Sequence, residues 1–263
     1  MSDAVLALAA LSYNIHSCVG TDRHYRPDRV VELVRSLNCD VVGLQEVDLR
    51  ARAEDREQID FIADRLGMQA VSGPNMVDHR GHFGNALLTR LPVRSVRRTD
   101  LSVGGAEPRG MINAVLELDG LLFRAVVAHL GLGAAERREQ VRRLLQVLDE
   151  GASDLPTLVM GDFNEWKPNG GALRGIDRRF GQSLAPRTFP SRFPLLPLDR
   201  IWVWPRAGLK RISVHGEAAA RVASDHLPVR AEVAWDARDL PQAWKDACLK
   251  NGGIHLRQSG GQG

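Results

Sequence analysis

The residues of this chain best suited to chemistry stand at the ends of apolar, strand-like runs. They fall in five short segments: Tyr13-Asn14-Ile15-His16, Leu44-Gln45-Glu46-Val47-Asp48, Val126-Val127-Ala128-His129-Leu130, Gly161-Asp162-Phe163-Asn164 and Ser224-Asp225-His226. A sixth, Leu198-Asp199-Arg200-Ile201, enters a strand rather than leaving one. Strand ends and the loops beyond them are where sheets present functional groups. Carboxylates and amides offer oxygen to hard cations, and imidazoles move protons near neutral pH. Singly, each segment has a bland reading: Asn14 caps a turn, Glu46 is a solvated carboxylate, His129 is structural, and Gly161-Asp162-Phe163-Asn164 is a turn. Their joint occurrence and order point to chemistry.

The elements that must carry these groups follow from the hydropathy pattern. Leu6 to Tyr13 reads as a buried first strand. Pro27 opens a helix, a favoured position for proline, and Val30, Val31, Val34 and Leu37 follow at helical spacing. Asp40 to Leu44 is a strand, and Glu57 to Leu66 a second helix. Gly84 to Leu130 is mostly strand, with a tight hairpin at Asp119-Gly120. Ala135 to Leu148 is the clearest helix, with Val141, Leu144, Leu145 and Leu148 on one face and arginines on the other. Strands follow at Thr157 to Met160, Arg200 to Trp204, Leu209 to Val214 and Pro228 to Trp235. A terminal helix is expected over Asp239 to Leu249. The segment containing Asp78, His79, Arg80 and His82 reads as a loop. With no long linker, residues 1–258 are expected to form a single catalytic domain and residues 259–263 a disordered tail.

Composition sets outer bounds. A 44% apolar share is enough for a sizeable core. The net charge of +3 is compatible with an anionic partner. Three cysteines, Cys18, Cys39 and Cys248, lack metal-ligand spacing, so reduced thiols and a cytoplasmic location are expected. No apolar run reaches the roughly 18 residues needed to span a bilayer. A monomer is the default expectation.

The motifs Gln45-Glu46, Gly161-Asp162-Phe163-Asn164 and Ser224-Asp225-His226, in that order, resemble those of the endonuclease/exonuclease/phosphatase superfamily. The resemblance runs from about Leu8 to Val233. Tyr13 to His16, Gly84 to Leu88 and Phe193 to Ile201 are similar to runs found in its small bacterial members. It implies an α/β four-layer sandwich, two packed mixed β-sheets flanked by helices, of the deoxyribonuclease type. It also implies metal-dependent hydrolysis of a phosphate ester. Such a site must activate water, offset developing negative charge and help the leaving oxygen depart. Mg²⁺ suits an oxygen-rich site, and Mn²⁺ fits the same donors. Glu46 is the main expected metal ligand, with Asn14 and Asp225 as further contributors. The resemblance assigns Asp162 to orient or deprotonate the attacking water and Asn164 to bond a phosphate oxygen or fix Asp162. It has His226 contact the phosphate while Asp199 holds the other ring nitrogen; the alternative makes that pair the general base. His129 resembles a second histidine that stabilises charge or protonates the leaving group. Arg109 is a candidate phosphate clamp. Asn85 falls where the deoxyribonuclease branch places a carboxylate partner for that second histidine; an amide orients the ring without stabilising its charge equally.

The scaffold does not choose the substrate. A nuclease is the first expectation, on the basic balance and on arginines including Arg50, Arg52, Arg94, Arg97, Arg98, Arg137 and Arg138. Tyrosines for stacking bases number only two. Phospholipid or sphingomyelin phosphodiesterase activity is the alternative, for which Phe189 to Trp204 offers aromatic and apolar residues; core is the first reading of that segment. A small-molecule phosphatase and an inactive binding module on the same scaffold complete the set.

Overall fold

The computed structural model describes residues 5–48, 58–79, 81–150, 155–167 and 171–236. Along the chain these form β1 (Val5–Asn14), α1 (Pro27–Leu37), β2 (Val41–Asp48), α2 (Gln58–Leu66), β3 (Gln69–Asp78), β4 (Gly81–Thr89), β5 (Val93–Asp100), β6 (Gly110–Leu118) and β7 (Leu121–His129). Next come α3 (Ala134–Glu150), β8 (Thr157–Asp162), α4 (Arg174–Phe180), β9 (Asp199–Trp204), β10 (Leu209–Val214), α5 (Ala218–Ala223) and β11 (Val229–Asp236). Six strands pair in the order β10-β11-β1-β2-β4-β3, and five in the order β5-β6-β7-β8-β9. Both sheets are mixed, because β1–β2 and β7–β8 run parallel while the other pairs are antiparallel.

Three apolar clusters stack into four layers. The first lies between the sheets and includes Leu8, Val41, Leu87, Val127, Met160 and Trp235. The second buries one side of α1 and α2 against the first sheet; Val30, Val31, Val34 and Leu37 all point inward, as their spacing requires. The third packs α3 and α4 on the second sheet around Leu144, Phe163 and Trp202. The four-layer sandwich is thus the observed architecture. At the β6–β7 hairpin Leu118 pairs with Leu121. The two residues between them, Asp119 (φ 50) and Gly120 (φ 80), both adopt positive φ, as a two-residue primed turn demands.

Three expectations need correction. The segment around Asp78 is no loop: Met76 pairs with Phe83, Val77 with His82 and Asp78 with Gly81. Its polar residues hide the strand because β3 is a sheet edge, largely open on both faces. In α3, Arg137 is buried rather than solvated. The segment Phe189 to Trp204 divides: Leu198, Ile201, Trp202 and Val203 are core, whereas Phe193 and Leu195 are exposed. Helices α4 and α5, of 7 and 6 residues, are too short to leave a clear period in sequence. Arg50, Arg52, Arg80, the helix expected over Asp239 to Leu249 and the tail 259–263 lie outside the described residues. Among the described residues no helix is long and apolar enough to cross a membrane.

Candidate active site

Strand register places the first three groups. His129 ends β7 and pairs with Asp162, which ends β8 and pairs with Asp199 at the start of β9. Three polar side chains therefore stand in a row at one rim of the second sheet. Gly161 permits this: a Cβ there would overlap the carbonyl oxygen of Ala128 on β7.

The first sheet supplies the facing groups. Asn14 ends β1 in register with Gln45 of β2. The β2–β4 register shifts between Leu44 and Val47, and within that bulge Glu46 has φ 56. Bulges re-aim side chains, and a non-glycine residue held at positive φ costs roughly 1 kcal/mol or more. Asn14 spans the two sheets: its Nδ2 donates to Glu46 Oε1 at 2.9 Å and to Asp162 Oδ2 at 3.1 Å. Its Oδ1 accepts the amide of His16 at 3.1 Å. Asn14 thus binds two carboxylates together. His226 arrives on the loop between α5 and β11. There the Ser224 hydroxyl donates to the Asn14 carbonyl at 2.8 Å and accepts the His226 amide at 3.2 Å.

The two histidines differ in charge. His226 Nδ1 lies 2.8 Å from Asp199 Oδ2, and its Nε2 lies 3.7 Å from Asp162 Oδ2. Burial alone would lower its pKa, but the Asp199 and Asp162 carboxylates outweigh it and raise the value to about 10. His226 is therefore an imidazolium at neutral pH. Thr188, fully buried, donates its hydroxyl to the same Asp199 oxygen at 2.5 Å. His129, by contrast, is pushed down to about 3 by burial, against the pull of Asp162. It is neutral at pH 7, with Nε2 at 3.2 Å from Asn164 Nδ2. A buried neutral imidazole is poorly suited to protonate a leaving group, which weakens one of its two expected roles.

Asn164, at φ 50, donates its backbone N–H to Asp162 Oδ1 at 3.0 Å, and its amide donates to the Leu130 carbonyl at 2.9 Å. Of its two expected tasks, fixing Asp162 is the one its contacts perform. Arg109 is buried and lines the same cleft, with Nη1 on Glu107 Oε1 at 2.6 Å. Asp225, half-buried, also faces the cleft. Asn85 does not line it: its Nδ2 donates to the Gly110 carbonyl at 2.8 Å, tying β4 to the residue after Arg109. That bond fastens β4 to the start of β6, next to Arg109.

The cleft encloses about 770 Å³. Five carboxylates line it, Glu46, Asp48, Glu107, Asp162 and Asp225, against two cations, the Arg109 guanidinium and the His226 imidazolium. Burial raises the proton affinity of Glu46, and the charges of Asp162 and Asp225 raise it further, against the Asn14 hydrogen bond. Crowded oxygen donors short of positive charge are what a divalent cation fits. The buried trio Asp162, Asp199 and His226 also brings ligand atoms within 4.8 Å of one another and could hold an ion. Asp199 Oδ2 already serves Thr188 and His226, while its Oδ1 is buried without a hydrogen-bond partner; Glu46 gives Oε1 to Asn14 and lines the cleft.

Sequence reasoning missed several supports. Nothing in the sequence marks Thr188 as the partner of Asp199. Arg137 was detectable, because it precedes Val141, Leu144 and Leu148 on the same helical stripe. Its Nη1 bonds the carbonyls of Gly131 (3.2 Å) and Leu132 (2.6 Å), its Nη2 reaches Glu165 (3.4 Å), and its guanidinium lies 5.0 Å from the Trp166 ring centroid. It joins the loops that follow His129 and Asp162.

The protein YbhP of Escherichia coli is 33% identical over 245 residues, covering 85% of this chain and 94% of that one. Among solved structures, a mannosyl-6-phosphatase of Bacteroides thetaiotaomicron superposes with a TM-score of 0.72 at 19% identity, covering 86% of this chain and 99% of the other. The human Nocturnin catalytic domain with bound sulfate gives 0.68 at 20%, covering 89% and 97%. These likenesses carry the fold. Residues 11–226 match the sequence model of one family, a span that contains every rim residue assembled above. By that match the chain belongs to the endonuclease/exonuclease/phosphatase family.

Proposed function

We propose that this chain is a divalent-metal-dependent phosphodiesterase. The observation that carries the reading is the meeting of Glu46, Asp162, Asp225 and His226, from distant parts of the chain, in one carboxylate-rich cleft. A phosphatase and Nocturnin with its sulfate among the structural neighbours agree with phosphoester chemistry. Glu46 is the principal ligand to Mg²⁺ or Mn²⁺, with Asp225 beside it and Asn14 holding Glu46 in place. Once bound, the cation supplies Lewis-acid stabilisation of charge developing on phosphate oxygens.

The remaining tasks fall to the protein. Asp162, held by the Asn164 amide and by Asn14, orients the attacking water and takes its proton. His226 stays charged through Asp199 and donates from Nε2 to a phosphate oxygen. A protonated His226 is no base, which favours Asp162 for that role. Arg109 is a second cationic contact for the phosphate.

Support for a nucleic-acid substrate is thin. Arg94 and Arg97 pair with Glu117 and Glu150, Arg98 bonds the Ser72 carbonyl, and Arg137 is an internal strut. Among the described residues only Arg109 brings a guanidinium to the cleft lining.

The test is hydrolysis of bis(p-nitrophenyl) phosphate with Mg²⁺ or Mn²⁺, with and without chelator, for wild type and Asp162→Asn. The expected result is chelator-sensitive turnover that Asp162→Asn lowers at least about 10²-fold with the secondary structure retained by circular dichroism. Turnover by Asp162→Asn equal to wild type sinks the assigned base, and turnover indifferent to chelator sinks the metal requirement.

A further inference from the structure

Exposed apolar side chains are gathered at the mouth of the cleft. Among the described residues eight large apolar side chains are exposed. Leu132 (66%) and Trp166 (43%) line the cleft on one side. Phe193 (76%) and Leu195 (63%) stand on the loop 189–196, whose two ends, Phe189 and Leu196, line it on the other. Four of the eight thus belong to the rim, whereas Val5 and Leu122 lie at strand starts, remote from the strand ends that build the site.

The loop is built, not frayed. The amides of Leu195 and Leu196 donate to the Phe189 carbonyl at 2.9 and 2.8 Å, and the Phe193 amide donates to Pro190 at 3.0 Å. Ser191 donates its amide to Asp225 O at 2.7 Å and its hydroxyl to Ser224 O at 2.7 Å. Arg221 Nη1 holds the carbonyls of Ser191 and Arg192 at 3.2 and 2.7 Å. At the base, the Phe189 ring lies 4.9 Å from that of His226. The fold therefore fixes an apolar tip in water on a support that touches the catalytic histidine. Holding Phe193 and Leu195 there gains nothing from burial in the free protein.

Charge says what covers the tip. From Arg178 to Leu198 the chain carries no acidic residue, although it has 32 in all. The exposed Arg187 and Arg192 flank the tip. Apolar and aromatic tips beside arginines, with no acid between, match an anionic bilayer: the side chains enter the headgroup boundary and the guanidiniums meet phosphates. We infer that the rim of the cleft, led by Phe193 and Leu195, docks the protein on an anionic phospholipid surface, and that the scissile phosphodiester is presented from that surface. The second clause rests on the phosphodiesterase reading; the first does not.

The experiment is flotation with vesicles of equimolar phosphatidylglycerol and phosphatidylcholine, and of phosphatidylcholine alone, using the full chain. Bis(p-nitrophenyl) phosphate hydrolysis and anisotropy with single- and double-stranded oligonucleotides run in parallel. Wild type is expected to float with the anionic vesicles. Phe193→Ser/Leu195→Ser should weaken that binding roughly tenfold or more while hydrolysing the soluble diester at the wild-type rate. Arg187→Glu/Arg192→Glu should weaken binding to anionic vesicles more than to neutral ones. No vesicle binding by wild type, or equal binding by the serine variant, overturns the inference. So does oligonucleotide binding that exceeds vesicle binding and is lost in the same variant, which makes the rim a nucleic-acid surface. Vesicle binding lost in the serine variant, with no diester hydrolysis by wild type, upholds the docking surface and rejects the phosphodiesterase.

Discussion

Replacing Asp199 with Asn tests the electrostatic core of the site. Asp199 is fully buried, 2.8 Å from His226 Nδ1, and keeps its place through the Thr188 hydroxyl. The amide preserves shape and removes the charge. A rise from the ordinary 6.5 to about 10 corresponds to roughly 5 kcal/mol of preference for the charged ring, an order of magnitude shared between Asp199 and the more distant Asp162. Without Asp199, burial prevails and the ring should be neutral at pH 7.5. A raised folded-state pKa contributes stability that is fully present below the unfolded value near 6.5 and fades as pH climbs through about 10. The melting difference between wild type and Asp199→Asn should accordingly be greatest near pH 6 and shrink steadily toward pH 10. Histidine ring NMR of the metal-free protein reads the same quantity directly: the His226 resonances should stay those of an imidazolium at pH 8 in wild type only. The diester rate should fall about 10²-fold or more. A wild-type His226 that titrates near 6.5, or a stability difference that ignores pH, refutes the reasoning.

Two further perturbations probe separate parts of the site. Glu46→Gln keeps the contact to Asn14 but removes the ligand charge; the Mg²⁺ concentration for half-maximal rate should rise at least about tenfold, read by metal titration of the rate, and an unchanged value rejects Glu46 as principal ligand. Arg137→Ala leaves Glu165 buried without its partner and frees the Gly131 and Leu132 carbonyls, so chemical denaturation should show a loss of roughly 3 kcal/mol or more; a loss below about 0.5 kcal/mol shows that the strut does nothing for the fold.

Much of the site was legible because its residues mark strand ends. Asp162 and His129 close apolar runs, and such runs read as buried strands from composition and length alone. The order of the motifs carried the family, and hence the pairing of Asp199 with His226 27 residues later, which the structure realises at 2.8 Å. Register, bulges and burial were not legible. The turn of Glu46 into the cleft depends on a shift between β2 and β4, set by partners about 40 residues apart. The neutral state of His129 and the charged state of His226 depend on which carboxylate each ring meets once water is gone.

The sequence by itself determined most of the longer elements and the identity of the polar groups at the rim, because local periodicity and residue type act within a few positions along the chain; the layered class was legible only through the family resemblance of its motifs. Only the tertiary structure decided that Asn14 links Glu46 to Asp162, that Arg137 is an internal strut, and that Phe193 and Leu195 face water while Trp202 is core. Those outcomes depend on distances between segments far apart in sequence, and on the solvent that packing excludes from some side chains and leaves on others.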